Sequence, residues 1–409
     1  MSWRPRFSAR GIGSAAACLA LALGGCGGGG GGSSTPTPAP PAVAGNQLLI
    51  TVQSNPDVTS LYPKLATVNI PYVTVTVCDS TGQCQTVDHV VVDTGSYGLR
   101  VLQSAVPGLN LPPDPAAGGA QLGECAKFLS GYIWGSVAHA TLVLGAQTTS
   151  SLPIQVIGAS GFPSAPSGCS SQGNDVGTLQ GLQGNGLLGV GHFVADGGDY
   201  YACTSSGCNT VQPAASAMVS NPVAYLNSGD NNGVVLQMPA VPTSGAGTTY
   251  GTLSFGVGTQ PDNAVTGFSV IPADFQGNLT VNLRGTDYAG SFIDSGSNFY
   301  FAPLSGVVPT DNNGYFIPSS LLNLPITLKA SASTASGASL NSQMYIGDYS
   351  SMDFVHYVAF NDIGIADGTP TTSGAVVDLG MPYFYGRSVA YVIYGMSSPI
   401  GTGPLYAIR

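Results

Sequence analysis

Two aspartates, Asp93 and Asp294, stand in matching surroundings 201 positions apart. Each follows an apolar segment and precedes a small hydroxyl residue, a glycine and a second hydroxyl residue. Two carboxyl groups that are held close together cannot both ionise cheaply, so they share one proton and titrate with separated pKa values. The charged member can then accept a proton from water while the protonated member donates one to a carbonyl oxygen. The repeat therefore predicts a two-carboxylate hydrolytic site that needs no metal, cofactor or nucleophilic side chain.

The residues that follow each aspartate have distinct tasks in this interpretation. The glycines let two loops approach closely, the first hydroxyl residues brace one loop against the other, and the second hydroxyl residues orient the carboxylates. These supporting residues are Thr94, Gly95, Ser96, Ser295, Gly296 and Ser297. The alternative is that each aspartate merely closes an Asx turn at a strand end.

The elements that must position these motifs are β-strands. Hydrophobic residues make up 43% of the 409 residues and charged residues only 7%, with 58 glycines, and no long segment has helical periodicity. Short runs rich in Val, Ile, Thr, Tyr and Phe predict a mainly β protein with a few short helices. Predicted strands over 47–52 and 72–77 lead to Asp93, one over 279–283 leads to Asp294, and two more cover 128–134 and 138–144.

An apolar-apolar-Gly element follows each aspartate motif. The first is Gly186-Leu187-Leu188-Gly189-Val190-Gly191 and the second is Val376-Val377-Asp378-Leu379-Gly380. With a motif and this element in both halves, the chain resembles the pepsin-like aspartic peptidases. The resemblance implies an all-β, bilobal fold of two pseudo-symmetric β-barrel-like lobes. It also implies that Asp93 and Asp294 are the catalytic pair of an acid endopeptidase that acts on peptides or proteins.

Two positions depart from the family pattern. Arg100 stands where the family usually has a tryptophan, seven residues after the first catalytic aspartate. Tyr132 lies near the distance expected for the tyrosine of the active-site flap, but its surroundings, Gly-Tyr-Ile-Trp-Gly, differ from the family motif. Tyr132 is therefore predicted either as a flap residue or as a residue of the core.

The N-terminal segment predicts export and lipid anchoring. Residues 1–26 have a basic start and an apolar run and end in Leu23-Gly24-Gly25-Cys26, which resembles the lipobox of bacterial lipoproteins. Cys26 would then carry the lipid, in the outer membrane rather than the inner one; the alternative is a free cysteine after an ordinary signal peptide. Residues 27–46 form a Gly/Ser/Thr/Pro tether, followed by an N-terminal lobe over 47–229 and a C-terminal lobe over 230–409.

Six further cysteines agree with an oxidising compartment. Fifteen pairings are possible, and the short spacings favour Cys78 with Cys84 and Cys203 with Cys208, leaving Cys125 with Cys169. A zinc site is the alternative, but no Cys-x-x-Cys motif or neighbouring histidine supports it. The four histidines lack ligand-like spacing and are predicted to be solvated or hydrogen-bonded residues: His89, His139, His192 and His356.

The charge balance argues against a nucleic-acid partner. Net charge is -10, and the part of the chain after Arg4, Arg6 and Arg10 holds 7 basic and 20 acidic residues with no basic stripe. Three functions remain for what is predicted to be a monomeric protein. They are an anchored aspartic endopeptidase, a non-catalytic peptide-binding or scaffold lipoprotein of the same fold, and an unrelated β-rich surface protein.

Overall fold

Short β-strands dominate the chain, and the computed structural model describes residues 40–59, 67–334 and 336–409. In the first half of this described part the strands are β1 (Gln47–Val52), β2 (Pro71–Cys78), β3 (Cys84–Asp93), β4 (Tyr97–Leu102), β5 (Gln121–Phe128), β6 (Gly131–Leu144), β7 (Gln147–Thr148), β8 (Leu152–Ile157), β9 (Gly186–Val190), β10 (Asp199–Thr204) and β11 (Gly207–Val211).

The second half of the described chain continues with strands of similar length. They are β12 (Gly233–Gln237), β13 (Thr249–Phe255), β14 (Ser269–Pro272), β15 (Leu279–Leu283), β16 (Thr286–Ile293), β17 (Tyr300–Ala302), β18 (Leu322–Lys329), β19 (Ser339–Ile346), β20 (Gly364–Ala366), β21 (Asp378–Leu379), β22 (Ser388–Val392), β23 (Ser397–Ser398), β24 (Gly401–Thr402) and β25 (Leu405–Ile408). The α-helices of the described residues are single turns: α1 (Pro56–Thr59), α2 (Ser167–Ser170) and α3 (Leu179–Leu182). The predicted mainly β fold is confirmed.

Strand β2 shows why these sequences form strands. Its valines at 73, 75 and 77 are buried, whereas Thr74 is exposed and Thr76 is half-buried. Successive side chains of a strand point to opposite faces, so alternation of this kind gives the sheet one apolar face. Each buried valine contributes about 1.5–3 kcal/mol relative to an exposed one.

Six strands of the first half close into a ring. The order β6-β8-β4-β9-β3-β2 returns to its start because β2 also pairs with β6. Strand β3, which ends at Asp93, runs parallel to β9, with Val92 opposite Leu188 and Asp93 opposite Gly189. The first predicted apolar-apolar-Gly element is therefore the direct neighbour of the first aspartate strand.

The second half repeats this arrangement around Asp294. The order β2-β3-β9-β4-β8 has its counterpart in β15-β16-β21-β17-β20, and the senses match pair by pair: antiparallel, parallel, antiparallel, parallel. In β21, Leu379 pairs with Ile293, which precedes Asp294. The internal repeat seen in the sequence is thus a repeat of strand topology.

A continuous sheet joins the two halves. Strand β1 pairs along its whole length with β13, and β12, β22, β25 and β14 continue the sheet beyond it. The described residues belong to one compact unit. The boundary expected between residues 229 and 230 stays a prediction.

Some predicted elements differ from the structure. The strands expected over 128–134 and 138–144 are instead one hairpin, because Phe128 ends β5, Gly131 begins β6, and β6 runs unbroken to Leu144. The β10–β11 and β18–β19 hairpins were not anticipated from the sequence. Strands β11 and β19 carry many polar residues that are exposed or half-buried, which hide the apolar alternation. The predicted helix near Asn221 is a 3-10 turn over Pro222–Tyr225, with Asn221 as its cap.

The predicted signal segment, Cys26 and the tether up to residue 39 lie outside the described residues. Residues 40–45, at the end of the predicted tether, are exposed. Among the helices that the structure describes, none has both the length and the hydropathy to cross a membrane.

Candidate active site

The two aspartate motifs meet in space. Asp93 is the last residue of β3, and Asp294 follows the last residue of β16. The Gly95 N–H donates to Oδ1 of Asp93 at 2.8 Å and to Oδ1 of Asp294 at 3.0 Å. One N–H therefore bridges the two carboxyl groups. Each aspartate also closes an Asx turn, since Gly95 N–H bonds Asp93 and Gly296 N–H bonds Asp294, and the two turns meet at one place.

Each carboxylate is oriented by its own loop. Ser96 Oγ donates to Asp93 Oδ2 at 2.6 Å, and Ser297 Oγ lies 3.1 Å from Asp294 Oδ2. The Gly296 N–H donates to Asp294 Oδ1 at 2.8 Å, which repeats the bond that Gly95 makes to Asp93. The second hydroxyl residue of each motif therefore contacts the carboxyl group that the sequence assigned to it.

The two glycines are required by close approach. A Cβ on Gly95 would lie 2.7 Å from Cγ of Asp294, and a Cβ on Gly296 would lie 2.7 Å from Cγ of Asp93. Real Cβ atoms essentially never lie this close to another heavy atom, so any larger residue would displace the opposite carboxyl group or push the two loops apart. Each glycine thus makes room for the aspartate of the opposite loop.

The loops are braced by hydroxyl groups that cross between them. Thr94 N–H donates to Ser295 Oγ at 3.2 Å, and Ser295 N–H donates to Thr94 Oγ1 at 2.9 Å. Ser295 Oγ in turn donates to the Val92 carbonyl at 2.8 Å. The predicted cross-bracing by Thr94 and Ser295 matches these contacts.

The hydrogen bonds between the two loops also involve Tyr391, a residue that the sequence did not reveal. These hydrogen bonds, made by Thr94, Ser295 and Tyr391, form a brace behind the two aspartates. Thr94 Oγ1 donates to the Tyr391 hydroxyl at 3.1 Å, and that hydroxyl donates to the Ile293 carbonyl at 2.9 Å. Tyr391 lies on β22, 297 positions after Thr94, and is fully buried. No local pattern marks it, because the segment 388–392 has the composition of an ordinary buried strand.

The electrostatic environment of the site acts on the pKa of one of the two aspartates, Asp294. Burial, the charge of Asp93 and the charge of Asp378 raise the pKa of Asp294 well above its ordinary value. Asp294 is half-buried, and this environment favours its protonated form.

Arg100, expected as a departure from the family pattern, is completely buried. Its guanidinium forms ion pairs with Glu124 and Asp196 and donates to the Tyr97 carbonyl at 2.8 Å. Burial alone would lower the pKa of Arg100, but the charges of Glu124 and Asp196 raise it above its usual value. Burial raises the pKa of Glu124 to about 8. The network ties β4, directly after the first aspartate loop, to β5.

The sequence family described as "Protein of unknown function (DUF3443)" matches residues 42–408. The chain belongs to this family. Its structure is also similar to the crystal structure of an aspartic proteinase from Irpex lacteus, with a TM-score of 0.47 and 14% identity over 89% of this chain and 96% of that one. No curated protein matches the chain.

In this DUF3443 member, Tyr132 lies in a packed cluster. It is 8% exposed and belongs to an apolar group with Cys125, Trp134, Cys169 and Tyr201. Its backbone N–H donates to the Asn174 carbonyl at 2.9 Å. Of the two predicted roles for Tyr132, the contacts of the described residues match the core residue.

All three predicted disulfides are present in the DUF3443 chain. Cys78–Cys84 closes the β2–β3 hairpin and Cys203–Cys208 closes the β10–β11 hairpin. Cys125–Cys169 links β5 to α2 across 44 positions. The described residues contain no cluster of His, Cys, Asp or Glu with metal-binding geometry.

The histidines of the DUF3443 chain stand apart from the two aspartates. His192 is buried, with Nδ1 at 3.1 Å from the Val392 carbonyl, and burial lowers its pKa to about 4. The other three each contact a neighbouring carboxylate: His89 with Asp88, His139 with Asp114 and His356 with Asp353. These contacts agree with the prediction that the histidines are hydrogen-bonded or solvated.

Proposed function

We propose that this protein is an aspartic endopeptidase that hydrolyses peptide bonds with water activated between Asp93 and Asp294. The observation that supports this proposal best is the shared Gly95 N–H, which contacts one oxygen of each carboxyl group. A pair held this tightly carries a single proton over a range of pH, which is the state that acid–base hydrolysis needs.

In the proposed reaction the two carboxyl groups have complementary roles. The Asp93 carboxylate takes a proton from water, and the resulting hydroxide forms a bond to the carbonyl carbon of the peptide. Asp294, whose raised pKa keeps it protonated, donates its proton to the carbonyl oxygen. The proton now on Asp93 passes to the amide nitrogen as the C–N bond breaks, and Asp294 recovers its proton as the new carboxyl group forms.

We further propose that the enzyme is exported and anchored to the bacterial cell envelope by a lipid on Cys26, on the outer membrane rather than the inner one. Three disulfides in the folded part favour an oxidising compartment. Metabolic labelling with a radioactive fatty acid should mark the wild-type chain and leave Cys26→Ala unlabelled and released from the membrane fraction. Equal labelling of both chains would refute the anchor.

The proposed activity is tested with the full-length protein in detergent, using unfolded proteins and a peptide library between about pH 3 and pH 7. Asp93→Asn and Asp294→Asn should each abolish cleavage while the chain stays folded. Asp311→Asn is the matched control, because Asp311 closes an Asx turn by accepting from Asn313 N–H at 2.9 Å. If the wild-type protein cleaves nothing over this range, or if the aspartate variants cleave as well as the control, the proposal fails.

A second candidate is a non-catalytic peptide-binding or scaffold lipoprotein of the same fold. It is favoured by Tyr132, which packs into the disulfide cluster instead of standing free as the tyrosine of a mobile flap would. A weakly covered site would exclude water poorly and position a substrate loosely. Peptide binding by the wild-type protein without any cleavage, retained in Asp93→Asn, would support this candidate over the endopeptidase.

A further inference from the structure

A third carboxyl group, Asp378, lies one hydroxyl away from the aspartate pair. It is the first residue of β21, between β16 and β17, and is 1% exposed. Ser297 Oγ lies 2.5 Å from Asp378 Oδ2 and 3.1 Å from Asp294 Oδ2. Within the described residues, the other oxygen of Asp378, Oδ1, is buried and has no hydrogen-bond partner.

Counting protons restricts the charge of this arrangement. The Ser297 hydroxyl has one proton and can donate it to only one of the two carboxyl groups. The other contact, between Ser297 Oγ and the remaining carboxyl oxygen, is a hydrogen bond only if that carboxyl group supplies a second proton. That proton belongs either to Asp378 or to Asp294, and it is donated to Ser297 Oγ.

The surroundings of the two carboxyl groups favour Asp378 as the residue that carries this second proton. A charged Asp378 would leave Oδ1 bare in an apolar interior, which costs several kcal/mol. Asp294 differs, because Oδ1 accepts from both Gly95 N–H and Gly296 N–H. A neutral Asp378 that donates to Ser297 therefore lets Ser297 donate to Asp294 and satisfies every contact on that side of the pair.

We propose that Asp378 is a positioning residue of the site, a protonated carboxylic acid that holds the Ser297 hydroxyl on Asp294. Its protonation is independent of any reaction, whereas its effect on catalysis rests on the proposed endopeptidase function. By fixing the Ser297 donor, Asp378 stabilises the singly ionised pair, whose one negative charge the Asp93 and Asp294 carboxyl groups share. When Asp378 ionises, Ser297 turns toward it and Asp294 loses that donor.

Other titratable groups that act on this site are distributed over several elements. Burial raises the pKa of Asp378 well above its ordinary value, the hydrogen bond to Ser297 opposes that increase, and the charges of Asp93 and Asp367 add to it. The groups whose charges interact with the aspartate pair, apart from Asp378, are Tyr97, Arg100, Tyr391 and Tyr406. The four tyrosine and arginine side chains keep their charge state in acid, so a change of the pair at low pH reports on carboxyl groups.

The first test measures protonation without any assay of activity. Infrared difference spectra of the full-length protein, labelled with carbon-13 in the aspartate carboxyl groups, should show a protonated carboxylic acid at pH 7 that is lost in Asp378→Asn. Asp311→Asn is the control and should keep the band. If Asp378→Asn leaves every protonated-carboxyl band in place at pH 7, the proposal is wrong, whether or not the protein cleaves peptides.

The second test uses the pH profile of cleavage. Asp378→Leu removes the donor to Ser297 and should lower kcat about ten-fold or more with KM little changed. The acid limb of the pH profile of kcat should shift up by about one pH unit. Asp378→Asn, whose amide N–H can replace the acid as donor, should restore kcat to within about three-fold and return the acid limb to its wild-type position.

Adding Ser297→Ala to Asp378→Leu should cost nothing beyond Ser297→Ala alone, because Asp378 acts through that hydroxyl. Additive losses, or an acid limb that shifts equally in the Leu and Asn variants, would overturn the proposed role. If the wild-type protein shows no cleavage at all, the endopeptidase proposal fails, and the infrared result alone decides the state of Asp378.

Discussion

Replacing Tyr391 by phenylalanine tests whether the brace behind the aspartates governs the site. The substitution conserves the ring and removes one hydroxyl, which accepts from Thr94 Oγ1 and donates to the Ile293 carbonyl. Thr94 is 3% exposed and Ile293 is 1% exposed, so water cannot readily replace the lost partner. We expect the free energy of unfolding to fall by about 1–3 kcal/mol. A domain with about 5–15 kcal/mol of stability remains folded after that loss.

The matched control is Tyr72→Phe. Tyr72 is 3% exposed, and its hydroxyl donates to the Gln183 carbonyl at 2.6 Å and bonds the Asn55 side chain, outside the brace. The two variants should lose similar stability in urea unfolding. Only Tyr391→Phe should also lower kcat/KM, by about ten-fold or more, because a small misplacement of catalytic groups is costly.

A further measurement does not depend on cleavage. Ser295 N–H donates to Thr94 Oγ1, so its amide hydrogen exchange should accelerate in Tyr391→Phe and stay unchanged in Tyr72→Phe. Equal exchange in both variants, or equal losses of kcat/KM, would refute the reasoning that Tyr391 acts on the loops of the pair.

Three other perturbations have defined outcomes. Gly95→Ala places a methyl group 2.7 Å from the opposite carboxyl carbon and should abolish cleavage, whereas Gly197→Ala, with open space around its Cβ, should match wild type in the same assay. Because burial raises the pKa of Glu124 from 4.5 to about 8, the folded state binds more protons than the unfolded state between these values. The urea midpoint should therefore fall as pH rises from 4.5 to about 8, and the fall should be smaller in Glu124→Gln; a midpoint that rises would contradict the pKa direction. Replacing Cys125 and Cys169 by serine opens a loop of 44 positions and should lower the free energy of unfolding by about 4 kcal/mol in urea titrations, and a loss below about 1 kcal/mol would contradict the estimate.

Those features of the site that depend on a short segment of sequence were predictable. The Asp-hydroxyl-Gly-hydroxyl pattern specifies a tight loop after a strand, and its recurrence around Asp294 indicates a partner loop. The glycines are needed because each aspartate of one loop fills the space where the other loop would have a Cβ. Close spacing along the chain likewise indicated two of the disulfides, Cys78–Cys84 and Cys203–Cys208.

The strand pattern was predictable where one face of a strand is buried and the other is solvated. It failed at Phe128, where apolar residues on both sides of Ser130-Gly131 indicated one strand although that dipeptide is a turn signal. It also failed for β19, whose exposed and half-buried positions carry mainly polar side chains. Alternation of apolar and polar residues indicates alternating burial. In these segments the residue types do not show which positions are buried.

By itself the sequence determined the aspartate motifs, their supporting apolar-apolar-Gly elements and the mainly β class, and it favoured the two disulfides of short spacing. Only the tertiary structure decided that Arg100 pairs with Glu124 and Asp196, that Tyr391 completes the brace, and that Asp378 faces Ser297. Those partners are separated by 24 to 297 positions and lie on different strands and loops. Their contacts depend on how the closed ring and its repeat bring strands together, and a buried polar side chain shows its role only when its partner is in place.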